Sequence, residues 1–192
     1  RNESIENLAF PFSSYPRGQQ DLIDSVQGAT QNGDILFAQA PTGIGKTMAV
    51  LFATLKSIPE TGLSKVFYLT ARTPTQKVAE KALQLLQQNG LQYRCITLAA
   101  KEKVCLMGLP HCIGDECPYA KGYYDRINDA INTLLEKQQY YSIEDIVLTA
   151  QKYSICAFEF SLDLSLKCDC IVCDYNYVFD PKVFLKRYFF GN

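Results

Sequence analysis

The sequence lacks any strong excess of charge. Its 19 Lys and Arg against 20 Asp and Glu leave a formal net charge of −1. That excludes a globally basic nucleic-acid binder and leaves room for a local basic groove. No apolar run approaches the ~20 residues that a membrane-spanning helix needs. The first ten residues, RNESIENLAF, carry no apolar signal core and so no instruction for secretion. They also lack an initiator Met, which reads as a piece of a longer chain. Histidine is almost missing: His111 is the single one, so a metal site built on a histidine pair has no material. Internal repeats and low-complexity tracts are absent too.

What is present is the composition of a globular protein. Of 192 residues, 47% are apolar and 20% charged, enough for one domain with a small insertion. The expected location is the cytoplasm. Continuous apolar runs at 34–40 (DILFAQA), 65–70 (KVFYLT), 93–99 (YRCITLA) and 168–175 (CDCIVCDY) suit buried strands. Helical segments alternate with them. One follows the turn-rich lead-in 9–20, with Leu22, Ile23 and Val26 on its apolar face. A second spans 43–58 and should end at Pro59. A third starts at Thr73-Pro74 and buries Val78, Ala82, Leu85 and Leu86. Two more carry Tyr124, Ile127, Ile131, Leu134 and Leu135, then Ile143, Ile146, Val147 and Ala150 behind a Ser142/Asp145 cap. Such alternation predicts an α/β fold, a parallel sheet flanked by helices. About 55 residues between the third and fourth strands exceed an ordinary crossover. The division expected is 1–102, an inserted domain at 103–160, and a return at 161–192.

APTGIGKT (40–47) follows a strand and opens a helix, as a phosphate loop does, with Ala40 in place of the first glycine. Pro41, Thr42, Gly43, Ile44 and Gly45 form the curl. The two glycines let the backbone aim its N–H groups at phosphate oxygens. Lys46 would reach the β- and γ-phosphates, and the Thr47 hydroxyl would sit on Mg²⁺. Upstream, YPRGQ (15–19) offers Arg17 and Gln19. The Gln19 amide both donates and accepts, which suits the adenine edge of ATP. After the second strand, Thr70, Arg72 and Thr73 offer donors suited to a nucleic-acid backbone.

Cys105, Cys112 and Cys117 fall within thirteen residues, spaced C-x6-C-x4-C. His111 adjoins Cys112, where joint ligation is awkward, so a fourth ligand should be another Cys. Cys156, at the far end of the same insertion, is the best placed. Four thiolates suit a [4Fe–4S] cluster or a four-cysteine zinc site. Spacing does not decide between them, though its irregularity and the trailing Cys117-Pro118 lean to iron–sulfur. Cys95, Cys168, Cys170 and Cys173 lie in or beside apolar runs and read as core.

Together these residues resemble the iron–sulfur superfamily 2 DNA helicases of the XPD/DinG type. The carriers are FPFSSYPRGQ, AQAPTGIGKT, VFYLTART, LAAKEKVC, ECPYAKGYYDR and CDYNYVFDP, in order along nearly the whole chain. CPYAKGYYDR looks most like bacterial members, which implies a nucleoid-associated protein. The resemblance implies a RecA-like motor domain that hydrolyses ATP with Mg²⁺ and unwinds DNA. It implies a [4Fe–4S] cluster on Cys105, Cys112, Cys117 and Cys156, placed at single-strand–duplex junctions and forks. By the same likeness Gln19 reads adenine, and Lys46 and Thr47 serve catalysis. Thr70, Arg72, Thr73, Lys101 and Lys103 would touch the DNA backbone, and Tyr175, Asn176 and Tyr177 would line its path.

One departure matters. The family's Asp-Glu-Ala-His run, source of a Mg²⁺ carboxylate and a water-orienting Glu, does not occur in the sequence. The expectation is that this chain alone binds nucleotide weakly and neither hydrolyses ATP at a useful rate nor unwinds DNA. Two other classes fit parts of the pattern. One is a nucleotide-binding iron–sulfur redox or sensor protein. The other is a zinc-stabilised nucleic-acid-binding module with a degenerate motor.

Overall fold

The computed structural model describes residues 1–14, 16–108, 112 and 114–189. Tyr15 and His111 therefore lie outside the described residues. The chain forms two compact units, one of residues 1–66 and 77–93, the other of 67–76 and 94–192. Among the described residues no helix is long and apolar enough to cross a membrane.

The first unit is built on helices. α1 (Asn2–Glu6), α2 (Gln19–Asn32), α3 (Lys46–Thr61) and most of α4 (Thr73–Gln88) supply its core. α2 buries Leu22, Ile23 and Val26, the predicted face, together with Gln19. α3 begins at Lys46 and runs through Pro59 to Gly62, instead of stopping before the proline. Pro59 removes one N–H near the helix end, and the Gly62 N–H still reaches the Ile58 carbonyl at 3.0 Å. α4 buries Ala79, Ala82, Leu83 and Leu86, whereas Val78 is 52% exposed. The buried stripe is thus rotated from the one expected.

The run 34–40 is not a strand. Ile35 and Phe37 are 85% and 94% exposed. A strand needs a ladder partner for its backbone groups, and the four-stranded sheet does not include this run. An apolar run signals burial but does not name the neighbour that provides it.

The second unit holds that sheet, with order β1-β4-β2-β3. Its strands are β1 (Val66–Thr70), β2 (Cys95–Thr97), β3 (Tyr140–Tyr141) and β4 (Cys170–Asp174). β2 runs parallel to both β3 and β4, with Cys95 level with Tyr140 on one side and Cys170 on the other. All five residues of β4 but Asp174 are buried, as a strand covered on both faces requires. Cys95, Cys168, Cys170 and Cys173 are core residues, none more than 2% exposed.

Segment 103–160 supplies β3, a strand too short to leave a pattern in the sequence. It also supplies α6 (Tyr123–Lys137) and α7 (Ile143–Tyr153), and leads into α8 (Ala157–Ser165). Ile127, Ala130, Leu134, Ile146, Ala150 and Phe160 pack in one core with Ile96 and Ile171 of the sheet. Tyr123 takes the buried place expected of Tyr124, which is 83% exposed. α7 starts with the expected reciprocal cap: the Asp145 N–H donates to Ser142 Oγ, and the Ser142 N–H donates to Asp145 Oδ2. Short helices α5 (Lys101–Val104), α9 (Asn176–Phe179) and α10 (Lys186–Phe189) complete the unit.

Candidate functional site

The loop 40–45 curls into the N-terminus of α3. Gly43 and Gly45 hold φ of 90° and 75°, which side-chain-bearing residues avoid. Lys46 Nζ donates to the Ala40 and Pro41 carbonyls at 3.1 and 2.8 Å, so the lysine closes the loop over itself. The sixteen-residue helix behind it aims unpaired N–H groups and its positive end at the same space. A cavity of about 540 Å³ opens there, lined by Thr42, Gly43, Gly45, Lys46 and Thr47. Phe12, Met48, Val78 and Leu85 form its apolar wall. This explains why Val78 is not in the core. None of these wall residues was predicted as part of the site; Phe12 lies inside FPFSSYPRGQ, and that segment was the signal available for it.

Gln19 is 2% exposed, and its Nε2 donates to the Ile44 carbonyl at 2.7 Å. A carbonyl can only accept, so the amide's orientation is fixed. Its Oε1 is consequently buried with no hydrogen-bond partner. Such an orphan acceptor costs about 1–3 kcal/mol. A Cβ at Gly45 would lie 2.5 Å from Gln19 Nε2, so a side chain there would push the amide away as well as strain a φ of 75°. Arg17 is exposed and takes no visible part in this contact.

In the second unit, a cavity of about 710 Å³ sits at the carboxyl ends of β1, β2 and β4. Arg72, Thr73, Lys101, Lys103, Asn176 and Tyr177, all predicted, line it. Lys103 Nζ donates to Thr73 Oγ1 at 3.1 Å. The Tyr177 hydroxyl donates to the Ala99 carbonyl at 3.0 Å, which pins α9 to the loop after β2 and leaves its ring at the cavity. Burial pushes the Tyr177 phenol up to about 12. Two predicted contacts fall elsewhere. Thr70 is 4% exposed and its hydroxyl donates to the Cys173 carbonyl, so it ties β1 to β4 and does not face the cavity. Tyr175 is half exposed and does not line the cavity. Lys182, Asp174, Asp180 and Phe158 do, and were missed. Lys182 directly follows CDYNYVFDP (173–181), and that adjacency was the signal available for it.

All four predicted cysteines line one small cavity with Leu106, Met107, Tyr119, Ala157 and Phe158. Cys112 is exposed; Cys105, Cys117 and Cys156 are half-buried. Among the described residues no three His, Cys, Asp or Glu side chains form a group that could hold a metal ion. The donor set itself, four sulfurs in an apolar surround, suits iron–sulfur or zinc. Burial pushes the Cys156 thiol up, opposed by the backbone N–H groups of Glu159 and Phe158. The Lys101 ammonium is pushed up by its hydrogen bond to Cys112. Lys101 and Phe158 line both this cavity and the larger one.

Three separate likenesses to known proteins bear on this chain. The family model DEAD_2 matches residues 46–187, about three quarters of the chain. The chain belongs to the DEAD_2 family. Curated relatives include the regulator of telomere elongation helicase 1 homolog of Caenorhabditis briggsae, 25% identical over 96% of this chain and 23% of that protein. The Bos taurus regulator of telomere elongation helicase 1 is 21% identical over 90% of this chain and 18% of its own length. This DEAD_2 chain thus spans about a fifth of the curated relatives it matches. Among solved structures, a truncated XPD superposes with a TM-score of 0.59 at 18% identity, covering 90% of this chain and 48% of that one. An XPD helicase gives 0.60 at 18% identity, covering 94% and 31%. They share the α/β fold expected from the sequence. The curated relatives named are animal proteins and lend nothing to the bacterial likeness of CPYAKGYYDR.

Proposed function

We propose that this chain is the nucleotide-binding and strand-contacting part of an ATP-driven DNA helicase. The observation that carries the reading is the Gln19–Ile44 bond, with a buried, unpartnered Oε1 left beside the phosphate loop. The adenine amino group is a donor of the kind that oxygen lacks. Gly43, Gly45, Lys46 and Thr47 would hold Mg-ATP, with Lys46 turning from the Ala40 and Pro41 carbonyls to the phosphates. Thr47 would place its hydroxyl on Mg²⁺. Arg72, Thr73, Lys101 and Lys103 would contact backbone phosphates, and Asn176 and the Tyr177 ring would line the strand's path. Forked or junction DNA is the proposed substrate of the whole protein.

Cys105, Cys112, Cys117 and Cys156 would hold a [4Fe–4S] cluster, with zinc as the other metal the donor set accepts. When bound, such a centre would tie Cys105, Cys112 and Cys117 to Cys156, the residue before α8. The chain's own residues would bind and orient the nucleotide and the strand.

The test is single-stranded-DNA-stimulated ATPase activity of the full-length protein, with Lys46→Ala as the inactive control. DNA affinity should fall steeply as salt rises. ATP turnover indifferent to single strands, together with salt-insensitive DNA binding, would sink the helicase reading and favour the redox or sensor class.

A further inference from the structure

Cys117 and Cys156 lie 39 positions apart on separate segments, yet they line the same cavity. Something other than metal already holds those segments together. Arg126 Nη2 donates to the Lys121 carbonyl at 2.7 Å and to the Ser154 carbonyl at 2.8 Å. Lys121 belongs to the turn that Cys117 starts, since the Ala120 and Lys121 N–H groups both donate to the Cys117 carbonyl at 3.0 Å. Ser154 lies two residues before Cys156.

The local backbone accommodates this bridge at both ends. Ser154 is the sole non-glycine residue with positive φ among those described, at 53°. Its left-handed turn ends α7, and the buried Ile155 then leads straight to Cys156. At the other end Gly122 has φ of 69°, and a Cβ there would meet Arg126 Nη1 at 2.9 Å. Arg126 Nε is buried without an acceptor. The guanidinium is held by the Lys121 and Ser154 carbonyls although its Nε goes unpaired.

We propose that Arg126 is the positioning residue of the four-cysteine site, setting the Cys117–Cys156 separation before metal enters. The claim rests on the four-cysteine reading only for its consequence in metal retention. Supports one step behind ligands commonly govern affinity about 10- to 100-fold.

In the full-length protein, Arg126→Gln should release its metal to a chelator about 10- to 100-fold faster than wild type. Helix content of the metal-free variant should match that of the metal-free wild type. Release at the wild-type rate would overturn the proposal, and so would faster release matched by loss of helix. A second measurement needs no variant to fold. Metal-stripped wild-type protein treated with a short bismaleimide should yield a Cys117–Cys156 cross-link on peptide mapping. Its absence would overturn the brace. Separately, full metal content in Cys156→Ser would sink the four-cysteine reading and leave the cross-linking result standing.

Discussion

Gln19 and Ile44, 25 positions apart, are joined by a single buried hydrogen bond of 2.7 Å that fixes which way the Gln19 amide faces. The bond couples the lead-in to the phosphate loop and leaves Oε1 buried without a partner. ATP binding should therefore drop about tenfold in Gln19→Ala, the worth of one hydrogen bond to a buried acceptor. GTP, with an acceptor where adenine has its amino group, should gain relative to ATP. Calorimetric titration of both nucleotides checks this; an unchanged ATP-to-GTP ratio would count against adenine contact.

Gly45→Ala should weaken nucleotide binding at least as much as Gln19→Ala. Its methyl would press on Gln19 Nε2 and strain a φ of 75°. Because both substitutions disturb one contact, the double variant should lose less than the sum. Additive losses would mean that the contact is not shared.

Arg72 and Thr70 were grouped together on sequence, and the structure separates them. Arg72 lines the large cavity, whereas the Thr70 hydroxyl is spent on the Cys173 carbonyl. Arg72→Ala should weaken single-strand binding across sequences and lower the salt slope by about 1. Thr70→Val should leave both unchanged and cost a little stability. Titrations of a labelled oligonucleotide at several salt concentrations distinguish the two outcomes.

The parts legible in the sequence are those written in local chemistry. The Ser142/Asp145 cap, the glycines of the phosphate loop and the burial of Cys170 and Cys173 need only neighbours along the chain. What escaped depends on tertiary placement. DILFAQA has the composition of a strand and lacks the ladder. β3 has a ladder and only two residues. Val78 keeps its apolar character but lines the cavity beside Gly43 and Lys46, so helical periodicity assigned it to the wrong environment. Arg126 bridges two carbonyls, and carbonyls leave no trace in sequence.

Cys173 carries a pH prediction. Burial raises its thiol from about 9 to about 12. The folded state then keeps a proton that the unfolded chain gives up above pH 9. Stability is complete below that pH and falls as pH climbs from 9 to 12, by up to about 4 kcal/mol from this group. Urea midpoints across that range should fall less steeply in Cys173→Ala than in wild type. Parallel slopes would place the alkaline loss on other buried groups, such as Cys95, also raised by burial.

Cys156→Ser tests how far the metal carries the fold. Metal ligation folds small domains that cannot bury a core alone, a class that the segment 103–160 would join if it packed by itself. Its helices are not alone, however. Ile127, Leu134, Ile146 and Phe160 pack with Ile96 and Ile171 of the sheet, and Tyr141 sits in β3 itself. Cys156 stands at the edge of that core, as the residue before α8. Its loss should therefore remove metal and leave α6, α7 and α8 folded. In the full-length protein, far-ultraviolet circular dichroism should stay near wild type while metal per chain collapses. DNA unwinding should be lost and ATP binding at Lys46 kept. A large fall in helix content on the same substitution would mean that the metal, not the shared core, holds this segment to the sheet.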